Sequence, residues 1–324
     1  MRIEAREETW PLKQLFRISR GSHTETQIVV VTVQDGGHAG CGECVPLARY
    51  NQSIASVLAQ IESIQDKRDF DRQILQKLMP PGAARNALDC ALWDLEAKAS
   101  GKRVWEIADI PIAAEVETSF TISLDSPEKM AAAAKANRNL PILKLKLGGD
   151  VDDFARVQAV RGVAPSVRLL IDANESWTVE HYREIVPALK QLGIELIEQP
   201  FPARADEVLE ILDHPIPVCA DESCHTTVDL QRLTNRYEAV NVKLDKTGGL
   251  TEALLLCERA REKGFKILIG CMVCTSLGIA PARLMAATTE WIDLDGPLLI
   301  GRDRDHAIPY ENGRIGLPPR ELWG

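Results

Sequence analysis

Residues 142–148 read ILKLKLG, residues 168–174 RLLIDAN, residues 194–200 IELIEQP and residues 217–223 PVCADES. Each is a short apolar run that ends in polar or charged residues, followed by a polar turn and an amphipathic stretch of helical period. The same unit occurs before them, as TSFTISL (118–124), and after them, as AVNVKLD (239–245), KILIGCM (266–272) and WIDLDGP (291–297). Helical stretches between them include SPEKMAAAAKANR, with a Ser-Pro start, and TEALLLCERAREKG, which ends on Gly264. Strands alternating with helices predict parallel strands joined by right-handed crossovers. A doubly wound open sheet would alternate as well, but eight evenly spaced units fit a closed barrel better. The expected fold is α/β, a modified TIM-like (β/α) barrel whose polar strand ends share one mouth.

Working outward, residues 1–112 are predicted to form an α+β capping domain. RIEAREETW and TQIVVVTVQDGG read as antiparallel strands with an Asp-Gly-Gly turn. AARNALDCALWDLEAKASGK reads as a helix with Ala87, Leu88, Ala91, Leu92 and Leu95 on one apolar side. The barrel is assigned to residues 113–298, and residues 299–324 to a C-terminal segment returning to the capping domain.

The 324 residues carry a net charge of −9, which argues against nucleic acid as a partner. No run approaches the length of a membrane span and the N-terminus lacks a signal-peptide core, so a cytoplasmic setting is expected. The eight cysteines then read as thiols. Two C-x-x-C pairs, Cys41/Cys44 and Cys271/Cys274, allow a zinc or redox module, but small buried side chains are the better reading.

Asp172, Glu198 and Asp221 occupy equivalent places on three consecutive strands. Carboxylates converging on a barrel axis repel one another unless a cation sits among them, and an all-oxygen set favours Mg²⁺, with Asn174 and Glu222 beside it. Lys144 and Lys146 are two apart and share a strand face, while Lys243 lies across the barrel on the sixth strand. Beside a metal and a second ammonium, one lysine is expected to be lowered into the range of a usable base. Lys246, three residues past Lys243, is expected on the other face or in the loop. A metal with two opposed lysines suits α-proton transfer: epimerisation when both act, cycloisomerisation or dehydration when one serves only as a charge.

The ordered motifs KLKLG, DAN, EQP, ADES, NVKLDKTGG and GCM, together with the ALDCALWDLEAK helix, resemble the muconate-lactonising branch of the enolase superfamily. The resemblance implies Asp172, Glu198 and Asp221 as Mg²⁺ ligands, Lys146 and Lys243 as the acid/base pair, and Lys144 as an electrostatic helper. Within the branch the chain looks most like bacterial L-Ala-D/L-Glu dipeptide epimerases, which implies a small dipeptide substrate, a role in cell-wall peptide recycling and no membrane partner; a homo-oligomer is compatible with it. The feature that carries this is the D-x-D of Asp293 and Asp295, two carboxylates on one strand face that suit a free ammonium. Arg20, in RISRGSHTE, is the implied partner of the substrate's second carboxylate. Cys274 stands where many members of the branch carry an acid. N-acylamino-acid racemase, o-succinylbenzoate synthase and muconate cycloisomerase are rival readings, although their substrates lack an ammonium. Dehydratases of the superfamily place a His on the seventh strand, where this chain has Gly270. A non-catalytic barrel would be expected to lose an acid or a lysine, and none is missing.

Overall fold

Alternating burial along the first strands determines how the N-terminal region is assembled. The computed structural model describes residues 1–67 and 70–324. Here β1 (Arg2–Ile18), β2 (Gly21–Asp35) and β3 (His38–Cys44) form an antiparallel sheet in that order. Val29, Val31 and Val33 of β2 pack with the helices α1 (Ile54–Glu62), α2 (Arg72–Leu78) and α3 (Ala83–Ser100) in one apolar cluster. Ile28 and Val30, one residue out of phase, belong instead to the large cluster that includes the barrel. The period of two thus gives β2 two buried faces and seats the sheet on the second domain. α3 differs from the one-sided stripe expected of it. Ala87, Leu88 and Ala91 do face the sheet, but Arg85, Asn86 and Asp89 are also buried.

After α4 (Val104–Ile107) and the short β4 (Val116–Glu117) come eight strands paired in chain order. They are β5 (Ser119–Ile122), β6 (Ile142–Lys146), β7 (Arg168–Asp172), β8 (Ile194–Glu198), β9 (Val218–Ala220), β10 (Ala239–Val242), β11 (Lys266–Gly270) and β12 (Trp291–Asp293). All seven pairings are parallel. Side chains close the seam between the first and last strands: Ser119 Oγ donates to Asp293 at 2.5 Å, Leu294 N to Thr118 Oγ1 at 2.9 Å, and Thr121 N to Asp295 at 2.6 Å.

The crossovers are less regular than the sequence pattern suggests. α5 (Pro127–Ala136), α6 (Asp153–Val163) and α7 (Val179–Gln191) are full helices, with Pro127 in the first turn of α5 as its Ser-Pro start predicts. The β8–β9 link holds a 3-10 segment (Asp206–Ile211), and the β9–β10 link a 3-10 turn (Thr227–Asp229) that runs into the one-turn α8 (Leu230–Leu233). α9 (Leu244–Thr247), α10 (Leu250–Glu262) and α11 (Ser276–Leu284) complete the ring, and β12 is followed by the short α12 (Gly296–Leu299). No helix among the described residues is long and apolar enough to cross a membrane.

The last residues double back. β13 (Tyr310–Glu311) and β14 (Arg314–Ile315) form a hairpin through Asn312 and Gly313, both at positive φ, and β14 pairs with β4. Trp323 is fully buried and donates Nε1 to Cys90 O on α3 at 3.0 Å; Gly324 N donates to Asp94 at 2.7 Å. Burial of an aromatic side chain of this kind contributes roughly 3 kcal/mol, enough to hold the tail on α3.

Candidate active site

Register decides what the barrel points inward. Lys146 pairs with Asp172 and Asp172 with Glu198, so these three side chains share a level and a face. Glu198 pairs with Cys219, which puts Asp221, two residues on, one step further up the same face. Cys219 pairs with Ala239, so Asn241 and Lys243 face inward too, and Gly270 opposite Asp293 completes the set. Below this polar layer, Ile142, Leu170, Leu196, Cys219, Ala239, Leu268 and Trp291 form an apolar plug of their own. Lysines and acids therefore sit on a dry floor, where charges interact strongly.

Asp172, Glu198, Asp221 and Asp293 are each engaged by an ammonium. Lys146 Nζ lies 2.5 Å from Asp172, and Lys144 Nζ lies 2.6 Å from Glu198 and 2.7 Å from Asp293. Lys243 reaches Asp221 at 2.8 Å, and Lys246 reaches the other oxygen of Asp221 at 2.7 Å. Lys246 is a correction to the sequence reading. Its side chain is wholly buried and also donates to the carbonyls of Asp221 and Asn241. The chain leaves β10 directly into α9, so a position three residues on returns to the axis by a helical turn instead of alternating away.

The acids feel each other. Burial, and then the charges of Asp172 and Asp221, raise Glu198 to about 7. Asp172 and Asp221 lie below the carboxylate range, because lysines outweigh the burial that would raise them. The expected lowering of a lysine does not follow from these side chains alone. Burial disfavours the Lys243 ammonium, but Asp221 and Glu198 outweigh it and hold its pKa above the ordinary value; Lys144 is raised in the same way by Asp293 and Glu198. A neutral lysine needs those carboxylates to be engaged by another cation.

The donor set suits a hard divalent ion by its charge and its free oxygens. Among the described residues the acids do not stand as a bare cage of three, because ammonium groups interleave them. Even so, five cations (Arg20, Lys144, Lys146, Lys243, Lys246) face six acids (Asp172, Glu198, Asp221, Glu222, Asp293, Asp295), which leaves negative charge in excess. In addition, Glu222 Oε2 and Asn174 Oδ1 are buried oxygens without a hydrogen-bond partner among the described residues. Asn174, Glu175 and Gln199, at the ends of β7 and β8, hold positive φ, the kind of strain that collects at functional sites.

A cavity of about 620 Å³ opens over this layer, between the barrel mouth and the N-terminal domain. Lys144, Lys146, Asp221, Lys243, Asp293 and Asp295 line its floor; Arg20 and residues 45–50 line its upper wall. Asp295 accepts Thr121 N but has no ion-pair partner among the described residues, and burial together with Asp293 raises it to about 6. Arg20 is at the cavity, bound to Glu222 at 2.7 Å and to Asn174 O at 2.8 Å. Cys271 also lines the cavity, with Cys274 buried beneath it; all eight cysteines are free thiols. Gly270 makes room for Lys243: a Cβ there would lie 2.9 Å from Lys243 Cε and 2.5 Å from Asn241 Oδ1.

Residues 128–321 match the family model "Enolase C-terminal domain-like", and residues 1–108 match "Mandelate racemase / muconate lactonizing enzyme, N-terminal domain". The chain belongs to the enolase superfamily. It is 43% identical to the L-Ala-D/L-Glu epimerase of Escherichia coli K12, across 97% of this chain and 99% of that one. It is 45% identical to an N-acetyl-D-glutamate racemase of a Pseudoalteromonas species, across 92% and 95%. Among solved structures it superposes with a TM-score of 0.97 on an enolase family member from Agrobacterium tumefaciens with homology to dipeptide epimerases. That structure, 49% identical over 99% of both chains, holds sodium and L-Ala-L-Glu. A dipeptide epimerase from Enterococcus faecalis V583, complexed with Mg and L-Leu-L-Tyr, superposes at 0.91 with 27% identity over 98% of this chain and 96% of that one. Members of this superfamily use Mg²⁺, and the all-oxygen donor set at the mouth agrees with it.

Proposed function

We propose that this protein is a Mg²⁺-dependent dipeptide epimerase of the L-Ala-D/L-Glu type. It inverts the α-carbon of the second residue by 1,1-proton transfer through the enediolate of the substrate. Asp172, Glu198 and Asp221 are the residues that would hold the cation, which supplies positive charge against the carboxylate as the α-proton leaves. Lys146 Nζ removes or returns the proton on one face of the α-carbon and Lys243 Nζ on the other. Lys144, fully buried among three acids, adds fixed positive charge. Arg20 takes the substrate's side-chain carboxylate from the cap side, and Asp293 and Asp295 hold its ammonium. Residues 1–112 act as the cap, 113–298 as the barrel and 299–324 as the returning segment. The eight free thiols suit a cytoplasmic setting, and cell-wall peptide metabolism supplies such dipeptides.

The observation that carries a free-amino dipeptide is Asp295, a buried carboxylate at the cavity floor with no ion-pair partner among the described residues. Leaving such a charge unpaired is costly, and a substrate ammonium removes the cost. The Pseudoalteromonas relative favours a second reading, racemisation of an N-acylated glutamate, which brings no ammonium. Incubating the Mg²⁺-loaded protein with L-Ala-L-Glu and with N-acetyl-D-glutamate, and resolving the stereoisomers by chiral chromatography, tests the choice. Faster inversion of the dipeptide is expected. Inversion of the N-acetyl compound alone would hand the assignment to the racemase reading.

A further inference from the structure

The α3 helix of the N-terminal domain contributes no residue to the cavity lining, yet its buried polar residues converge on the chain just after Lys243. The carbonyl of Lys243 accepts the first hydrogen bonds of α9, from Lys246 N and Thr247 N, both at 3.0 Å. The far end of that turn leaves carbonyls without helical partners, as every helix end does. Arg85 takes them, donating to Thr247 O at 2.6 Å and Gly248 O at 3.1 Å. The approach is so close that a Cβ on Gly248, at φ +76°, would lie 2.5 Å from Arg85 Nε. In the middle of the turn, the buried Asp245 accepts Asn86 Nδ2 at 2.8 Å and Val45 N at 3.0 Å. Beyond it, Asp89 accepts Thr251 N at 2.9 Å, at the start of α10.

Lys146 is held differently. The loop after it, Gly148–Gly149, donates both backbone N–H groups to Asp153 of α6 at 2.9 Å, an attachment made entirely within the barrel. One lysine is therefore fixed by its own domain and the other through the neighbouring one. Val45 also begins the stretch 45–50 that walls the cavity, so a single carboxylate ties the cap wall to the turn that carries Lys243.

We infer that Arg85, Asn86 and Asp245 form an interdomain latch that positions Lys243, and so tunes one of the two proton transfers without acting on the other. They are positioning residues; none is placed in contact with substrate. The inference rests on the proposed two-lysine reading, and it predicts a stereochemical asymmetry that ordinary domain docking does not.

The test measures exchange of the α-proton for solvent deuterium, by NMR, from L-Ala-L-Glu and L-Ala-D-Glu separately in the Mg²⁺-loaded enzyme. The Lys146→Ala and Lys243→Ala proteins establish which epimer each lysine deprotonates. Asp245→Ala and Arg85→Lys should each slow exchange from the Lys243-dependent epimer at least about tenfold more than from the other, since small misplacement of a reacting group is costly. Asp245→Asn, which keeps an acceptor for both donors, should restore the wild-type ratio. Equal slowing of both epimers, or none, overturns the latch. Arg85→Lys carries the comparison if Asp245→Ala does not fold. Competitive acetylation with acetic anhydride, read by mass spectrometry, needs no substrate. In the latch variants the labelling of Lys243 relative to Lys146 should rise at least about threefold as the turn opens locally, and an unchanged ratio also overturns the latch. If the wild-type protein exchanges neither epimer, the functional reading fails while the labelling still decides the latch.

Discussion

Lys146 on β6 and Lys243 on β10 stand four strands apart in an eight-stranded barrel, both turned to the axis, each ion-paired to a different acid: Asp172 at 2.5 Å and Asp221 at 2.8 Å. That placement allows a planar carbon between them to be approached from two sides, which a single base on one wall cannot do.

Removing either amine should therefore stop inversion. Lys146→Ala and Lys243→Ala are each expected to lower turnover by about 10²–10⁴-fold, the usual worth of a positioned acid/base group. The far-UV circular dichroism should stay unchanged, since Lys246 still neutralises Asp221 when Lys243 is lost. Normal turnover in either variant would contradict the assignment.

Asp295→Asn separates the substrate classes. The buried carboxylate has no ion-pair partner among the described residues, so its loss should raise KM for L-Ala-L-Glu at least about tenfold, in line with a charge-assisted hydrogen bond, and leave an N-acylated glutamate nearly untouched. Equal effects on both would mean that no ammonium binds there.

The same residue gives a pH dependence. Burial and Asp293 raise Asp295 to about 6, and only its ionised form pairs with an ammonium. The sign is that KM for free-amino dipeptides rises as pH falls through about 6, while KM for N-acylated substrates does not follow it. Initial-rate profiles between pH 5 and 8 on both substrates check this.

Chelation is expected to abolish activity and added Mg²⁺ to restore it. Mg²⁺ at a hundredfold excess over its Kd should also stabilise the fold by about 2.7 kcal/mol, visible as a higher Tm. Turnover that persists after exhaustive chelation would remove the metal from the account.

Gly270→Ala tests the space around Lys243. The new methyl group would press on Lys243 Cε and on Asn241, so a stability loss of about 1–3 kcal/mol and a fall in turnover are expected. Chemical denaturation with parallel rate measurements reads both. Unaltered activity would show that the lysine has other room.

Much of this site is legible in the sequence because a strand alternates with a period of two. K-x-K, D-A-N, E-Q-P and D-x-D each place a charge at a strand end, and register carries the inward face from Lys146 to Asp172 and Glu198. What escapes is whatever depends on leaving the strand. Lys246 returns to the axis only because α9 begins at once, and Arg85 is buried only because α3 has a second partner in the barrel. The seam closed by Thr118, Ser119 and Thr121 joins residues more than 170 positions apart, beyond the reach of any local pattern. The Arg20–Glu222 pair has the same cause: the cap loop and the fifth barrel strand meet only after the domains dock.

The most direct test of the two-lysine account is the isotopic label carried by product at early conversion of L-Ala-L-Glu in deuterated water. Opposed amines predict that the inverted dipeptide bears deuterium at the α-carbon of its glutamate from the first turnovers, because the incoming hydrogen comes from the amine that did not remove the outgoing one. Inverted product that keeps the substrate's own hydrogen would contradict it.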